Sequence, residues 1–227
     1  MPGVQGTAKM PWAEFKAMRD AERVAAEIKA LDGVKGAAEV TALEGAKGVG
    51  KVELSVGKSD LDVLRTKWNV PETQTVAVGK TDVKGLEGIK FEGASPKVLK
   101  EAGLPSLDEI MPNRLIKGPS DNPLFIRHAE EHVFNQFDQA VSRAGINPND
   151  VTGTLRVHQS NPAGVCKKCI QGLSNDSVSP GVVKQLSLKY PDLTIEITSE
   201  VSETVKVSGK STLIVKNGKY NELMGGY

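Results

Sequence analysis

The only cysteines in this chain of 227 residues, Cys166 and Cys169, close the run Asn161-Pro162-Ala163-Gly164-Val165-Cys166-Lys167-Lys168-Cys169. Two cysteines are too few for the disulfide framework of a small secreted scaffold, and their C-x-x-C spacing reads first as a local metal or redox pair. On a short helix over Cys166–Leu173 they would share a face, and a helix N-terminus favours thiolates. Upstream stands His128-Ala129-Glu130. Residues two apart do not share a helix face, so His128 and Glu130 can both reach a metal only if it sits at a helix N-terminus, for which Pro123 upstream provides a plausible start. Three ligands, His128, Cys166 and Cys169, leave the fourth tetrahedral position of a zinc ion open, as catalytic sites do. Two thiolates cancel the charge of the metal and leave its water less acidic than three imidazoles would. A nearby base is then required, and Glu130 fits that role.

H-x-E followed by P-C-x-x-C is the pattern of zinc-dependent deaminases, here with three extra residues between Pro162 and Cys166. His128 to Gln136 (HAEEHVFNQ), the strand ending in His158-Gln159-Ser160, and NPAGVCKKC together resemble the deaminase domains of bacterial polymorphic toxins. The resemblance is greatest to those that deaminate cytosine in single-stranded DNA. It covers roughly residues 72 to 227, with GKTDVKGLEG and FEGASPKV similar to the N-terminal portion of such domains. It implies a cytidine-deaminase-like α/β fold, a Zn2+ cofactor, single-stranded DNA as substrate and a cognate immunity protein as partner. It also implies a secreted effector, delivered by a specialised secretion system and acting in the cytoplasm of a target cell. An RNA or nucleoside deaminase toxin is the alternative within the same chemistry.

The same residues support competing readings. His128-Ala129-Glu130-Glu131-His132 also satisfies H-x-x-E-H, the inverted zinc-peptidase motif, with Glu131 as base, although that leaves the cysteines idle and shows no third ligand. A non-catalytic zinc module, with Glu130 incidental, is a further possibility. Candidate substrate contacts are Ser160 and Asn161 on the loop leading to the cysteines, Phe125 as a stacking ring or core residue, and Lys167 and Lys168 as phosphate contacts or a solvated face. His158 reads as structural rather than as a ligand. Gly45–Lys51 has a phosphate-loop frame, but Val52 stands where the magnesium-binding hydroxyl belongs, so nucleotide hydrolysis is rejected.

Elements must bring these residues together. Phe125–Ala144 has Val133, Phe134, Phe137 and Val141 at helical spacing and is closed by Gly145. Thr152–Gln159 alternates as a strand, and Leu193–Thr198 and Val205–Val215 supply later strands. Helix, strand, helix, strand in this order predicts an α/β fold, a central mixed sheet flanked by helices. Leu54-Ser-Val-Gly-Lys-Ser is echoed by Val76-Ala-Val-Gly-Lys-Thr, each read as a strand entering a Gly-Lys turn, with Ile89–Ala94 pairing the second as a hairpin. A connector rich in proline (Pro105, Pro112, Pro119, Pro123) follows. Trp12–Leu31 reads as an amphipathic helix and Gly33–Gly50 as a spacer, an N-terminal helical and Gly-rich extension. The expected organisation is therefore an extension over 1–70 and a catalytic domain over 71–227.

Composition narrows the partners. With 29 basic against 28 acidic residues, the net charge of +1 provides no whole-molecule attraction to polyanions, so nucleic-acid binding must be local. No apolar run approaches the roughly 18 residues of a membrane span, and no charged segment followed by an apolar run marks an ordinary signal peptide.

Overall fold

The computed structural model describes residues 54–71, 74–120, 128–200 and 209–220. The helix expected over Trp12–Leu31, the spacer, and Phe125 lie outside these residues. Helix α1 (Lys58–Trp68) is followed by strands β1 (Val76–Thr81) and β2 (Lys90–Ala94) and by the short helices α2 (Pro96–Glu101) and α3 (Leu107–Ile110). The long helix α4 (Ala129–Arg143), β3 (Gly153–Gln159), α5 (Val182–Lys189), β4 (Leu193–Ser199), β5 (Thr212–Lys216) and β6 (Lys219–Tyr220) complete the order. The strands form one mixed sheet in the order β2-β1-β3-β4-β5-β6, in which β3 and β4 run parallel and the other neighbours antiparallel. The expected α/β architecture with helices flanking a mixed sheet is therefore present. No helix among the described residues is long and apolar enough to cross a membrane.

Alternation along the strands sorts the side chains to two faces. One face buries Ala77, Phe91, Leu155, Val157, Ile195, Ile197, Leu213 and Val215. Val133, Phe134 and Phe137 of α4 and Val182, Val183 and Leu186 of α5 join the same core. The other face carries Val76, Val78 and Ala94, covered by Leu61 and Leu64 of α1 and Val98 and Leu99 of α2. Burying each such side chain contributes about 1.5–3 kcal/mol, so α1 is part of the fold. The compact unit runs Val52–Tyr227 and includes this helix, which lies on the N-terminal side of the boundary expected at residue 70.

Several local readings change. The first of the echoed segments does not form a strand: Gly57 caps α1, and Asp60 accepts a hydrogen bond from the Gly57 N–H at 3.3 Å. In the second, Gly79 lies inside β1 instead of at a turn. A Cβ there would stand 2.7 Å from Val133 Cγ1, so this glycine serves the close approach of α4 to the sheet. The hairpin with β2 forms as expected, pairing Val76 with Ala94 and Lys80 with Lys90. In the Pro-rich connector, Ser106 and Glu109 form a capping box for α3, with Glu109 N–H donating to Ser106 Oγ at 3.3 Å and Ser106 N–H to Glu109 Oε2 at 2.7 Å.

The largest departure follows β3. The chain from Cys166 to Leu173 turns without forming an α-helix: Ile170 N–H reaches Cys166 C=O at 3.3 Å, but Gln171 N–H and Leu173 N–H turn back three residues, to Lys168 and Ile170. Cys169 N–H lies 3.2 Å from Cys166 Sγ, and Cys169 C=O accepts from Val183 N–H of α5 at 3.1 Å. The helix of the β3–β4 crossover is instead α5, whose Val182, Val183 and Leu186 lie at helical spacing. At the end of the sheet an Asn217-Gly218 turn, with both residues at positive φ (48° and 67°), joins β5 to β6.

At the outer edge of β2, Gln136 of α4 holds the backbone of Glu92 from both sides. Glu92 N–H donates to Gln136 Oε1 at 2.9 Å, and Gln136 Nε2 donates to Glu92 C=O at 2.7 Å.

Candidate metal centre

His128 is the N-cap of α4, with extended backbone (φ −65°, ψ 165°), and the helix proper starts at Ala129, four residues later than the apolar periodicity implies. The position of this end is set by contact with the sheet. A Cβ at Gly93 of β2 would lie 2.1 Å from Ala129 O and 3.1 Å from His132 Cβ, so the first turn of α4 rests directly on that glycine. Opposite it, the loop after β3 is pinned by an isolated bridge between Val165 and Lys210, with Val165 N–H donating to Lys210 C=O at 2.8 Å. Asn161 shapes the preceding turn: its Nδ2 donates to Gly164 C=O at 2.9 Å and its Oδ1 accepts from Ala163 N–H at 3.1 Å.

These two supports bring His128 Nδ1, Cys166 Sγ and Cys169 Sγ into a triangle whose three edges are each 3.2 Å. They form a group of potential ligands that could hold a metal ion. Tetrahedral zinc with Zn–S of about 2.3 Å and Zn–N of about 2.0 Å needs edges of roughly 3.5–3.8 Å. The triangle therefore has to open by about half an ångström on binding, a motion within side-chain rotation. The donor set, one imidazole and two thiols on a local turn, fits zinc.

The electrostatics follow from the same contacts. Cys166 is brought down to about 4, chiefly by its hydrogen bond with Cys169, with His128 acting in the same sense against the cost of burial. Cys169, hydrogen-bonded to Cys166 and deeply buried, is pushed well up. Glu130, 2% exposed, is raised by burial above all; His128 opposes this and Cys166 reinforces it. Its carboxyl stands two residues beyond His128, in the first turn of α4.

Glu131 is placed quite differently. Its Oε1 accepts from Arg114 Nε at 3.0 Å, its Oε2 from Gly118 N–H at 3.2 Å, and Arg114 Nη1 lies 2.6 Å from Asp108. Glu131 thereby fastens the segment around Arg114 to α4. His132 is buried, its Nδ1 has no partner, and burial together with nearby Arg114 lowers its pKa to about 4. Neither residue is in the ligand group with His128, so the geometry required by the H-x-x-E-H reading is not formed.

The remaining candidates occupy varied positions. Ser160 Oγ accepts from Val76 N–H at 2.9 Å and donates to Gln74 C=O at 3.1 Å, tying the end of β3 to β1. Lys167 is exposed, and Lys168 Nζ donates to Gln171 Oε1 at 2.9 Å. His158 pairs with Val78 on the opposite face of the sheet and lies 2.7 Å from Thr198 Oγ1, so it stays apart from the metal centre. Sequence reasoning missed Gly93, which carries the α4 N-terminus, and Gln159, a fully buried amide on the inward parity of β3. The signal for Gln159 was its place at the end of the apolar series Leu155, Val157, Gln159. A cavity of about 400 Å³ lies elsewhere along α4, lined by Met111, Arg114, Leu115, Asn135, Asp138 and Lys189 among others, and none of the metal-centre residues borders it.

Comparison with protein-family models, with curated proteins and with solved structures gave no match.

Proposed function

We propose that the protein is a zinc-dependent deaminase that converts cytosine to uracil in nucleic acid, with single-stranded DNA the preferred substrate, on a cytidine-deaminase-like α/β fold. The observation that carries this reading is the 3.2 Å triangle of His128, Cys166 and Cys169, with Glu130 buried in the helix turn that His128 caps. The resemblance of the same segments to polymorphic-toxin deaminases supports the choice of reaction. It also supports a role as an effector delivered by a specialised secretion system into the cytoplasm of a target cell, with a cognate immunity protein.

His128, Cys166 and Cys169 would hold the metal. Bound there, zinc supplies a Lewis acid that yields a nucleophile from water near neutral pH. Glu130 takes a proton from the water as oxygen adds to C4 of the base, and passes it to N3. It then delivers the second water proton to the departing amine as the C4–N bond breaks, so that one water and one cytosine give one uracil and one ammonia. Burial of Glu130 and Cys169 favours a base that enters the site singly. Unstacking such a base from a duplex costs a few kcal/mol, which a single strand largely avoids. The balanced charge of the chain offers no strong basic grip to offset that cost.

The test is to incubate the full chain, loaded with zinc, with matched cytosine oligonucleotides as single-stranded DNA, duplex DNA and RNA, and to measure uracil. The single strand should react fastest. Cys166→Ala should lose both zinc and turnover, whereas Glu130→Gln should keep zinc and lose at least about 100-fold in rate. Absence of uracil from every substrate, or peptide hydrolysis that survives Cys166→Ala, would refute the proposal.

A further inference from the structure

The inner face of the sheet is apolar except near its ends. At the end nearest the metal centre, the register aligns Gly93, Ala77, Gln159 and Ser199 in one row across β2, β1, β3 and β4. The first turn of α4 rests on Gly93, so this row is the floor beneath the segment that carries His128 and Glu130. The direction of Glu130 along that floor follows from helical geometry. Val133 points down onto Gly79, and Gln136 reaches outward to the side of β2 that faces away from β1. At about 100° per residue, Glu130 and Gln136 lie on opposite sides of Val133 by about 60° each, so Glu130 leans inward, toward β3. Gln159 is the next member of the row on that side, across Ala77 from Gly93.

Gln159 is fully buried and incompletely satisfied. Its Nε2 donates to Ser199 Oγ at 2.8 Å, while its Oε1 has no partner. Turning the amide over does not remove the deficit, because Ser199 can engage only one end at a time. A buried polar atom without a partner is a cost that folded proteins rarely carry without a reason.

We infer that Gln159 is a specificity-determining residue, whose free carbonyl accepts a hydrogen bond from the exocyclic amine of the cytosine ring. The inference rests on the deaminase reading above. Ser199 holds the amide with its oxygen free, and an acceptor in that place favours the amine of cytosine over the keto oxygen of uracil or thymine. Substrate is thereby distinguished from product by the group the reaction removes. A site built around such an acceptor rejects a ligand that cannot donate to it, because the buried oxygen is again left unpaired.

The experiment uses the full zinc-loaded chain. Gln159→Leu replaces the amide by an apolar group of similar size, a change that is neutral or stabilising where a polar group was under-satisfied. It should keep its zinc and a thermal midpoint at or above that of the wild type, yet lose roughly tenfold to a hundredfold in kcat/KM on single-stranded cytosine oligonucleotides. In the inactive Glu130→Gln background, affinity is compared for oligonucleotides with one cytosine or one uracil at the same position. Preference for cytosine should fall to near unity when Gln159→Leu is added. Gln159→Asn, which keeps the amide but withdraws it by one methylene, serves if the leucine variant fails to fold, and should show the same loss of preference. A wild-type chain that makes uracil while either variant keeps kcat/KM and the cytosine preference within about twofold of it overturns the inference alone. A wild-type chain that makes no uracil overturns the deaminase reading and this inference with it.

Discussion

Replacing Gly93 by alanine tests how the metal centre is positioned without touching any residue that bears the chemistry. The added methyl would stand 2.1 Å from the carbonyl oxygen of Ala129 and 3.1 Å from Cβ of His132. A carbon–oxygen contact settles at about 3.3 Å, so strand and helix must part by roughly 1.2 Å. The obstructing atom is backbone, which cannot rotate away, and Ala129 lies between His128 and Glu130. The displacement is therefore passed directly to His128 and Glu130, the proposed ligand and base. Overpacking of this kind costs about 1–3 kcal/mol of stability, and a misplacement near 1 Å costs on the order of 100-fold in rate. Gly93→Ala should consequently show a lowered thermal midpoint, weaker zinc retention against a chelator and a large drop in uracil formation. Gly79→Ala, whose methyl would meet the movable end of Val133 at 2.7 Å one turn further along, should lose stability with a smaller effect on zinc. A Gly93→Ala protein with the zinc affinity and turnover of the wild type would refute the argument that this contact sets the position of the site.

A chain beginning at residue 70 loses Leu61 and Leu64 from their cluster with Val76, Val78 and Ala94, and should be destabilised by at least about 4 kcal/mol, whereas one beginning at Val52 should keep its denaturation midpoint. Chemical denaturation of both decides the matter. His132, lowered from 6.5 to about 4 by burial and Arg114, is neutral in the folded chain where the unfolded chain binds a proton. Its contribution is complete above pH 6.5 and is lost as pH falls toward 4, by at most about 1.4 kcal/mol per pH unit. The difference in stability between the wild type and His132→Gln should show that slope over this window and none above it.

The parts of the fold that were legible in the sequence are those where local pattern and tertiary role coincide. Strand β3 alternates because one of its faces is core, and α4 shows its apolar stripe because the helix lies along the sheet. His128, Cys166 and Cys169, singled out by residue type and spacing, were brought together as a group that could hold a metal ion. Legibility failed where a residue answered to a distant neighbour. Gly79 looked like a turn because its lack of a side chain is needed by Val133, remote in sequence. The cysteine segment looked helical from its spacing, yet it forms a series of turns in which Cys169 C=O accepts from Val183 N–H of α5. The core role of α1 was hidden because its partners, β1 and α2, follow it in the chain.

The clasp of Gln136 on Glu92 bears on how the protein behaves in a crowded solution. The outward-facing N–H and C=O of Glu92 are the groups an incoming strand would bind, and both are already held by a side-chain amide that mimics a neighbouring strand. A second chain could extend the sheet on that side only by prising Gln136 away. Gln136 lies on the same helix that His128 caps, so sheet growth at β2 would pull on the metal centre. Resistance to edge-to-edge aggregation and the integrity of the candidate site are in this way guarded by one side chain.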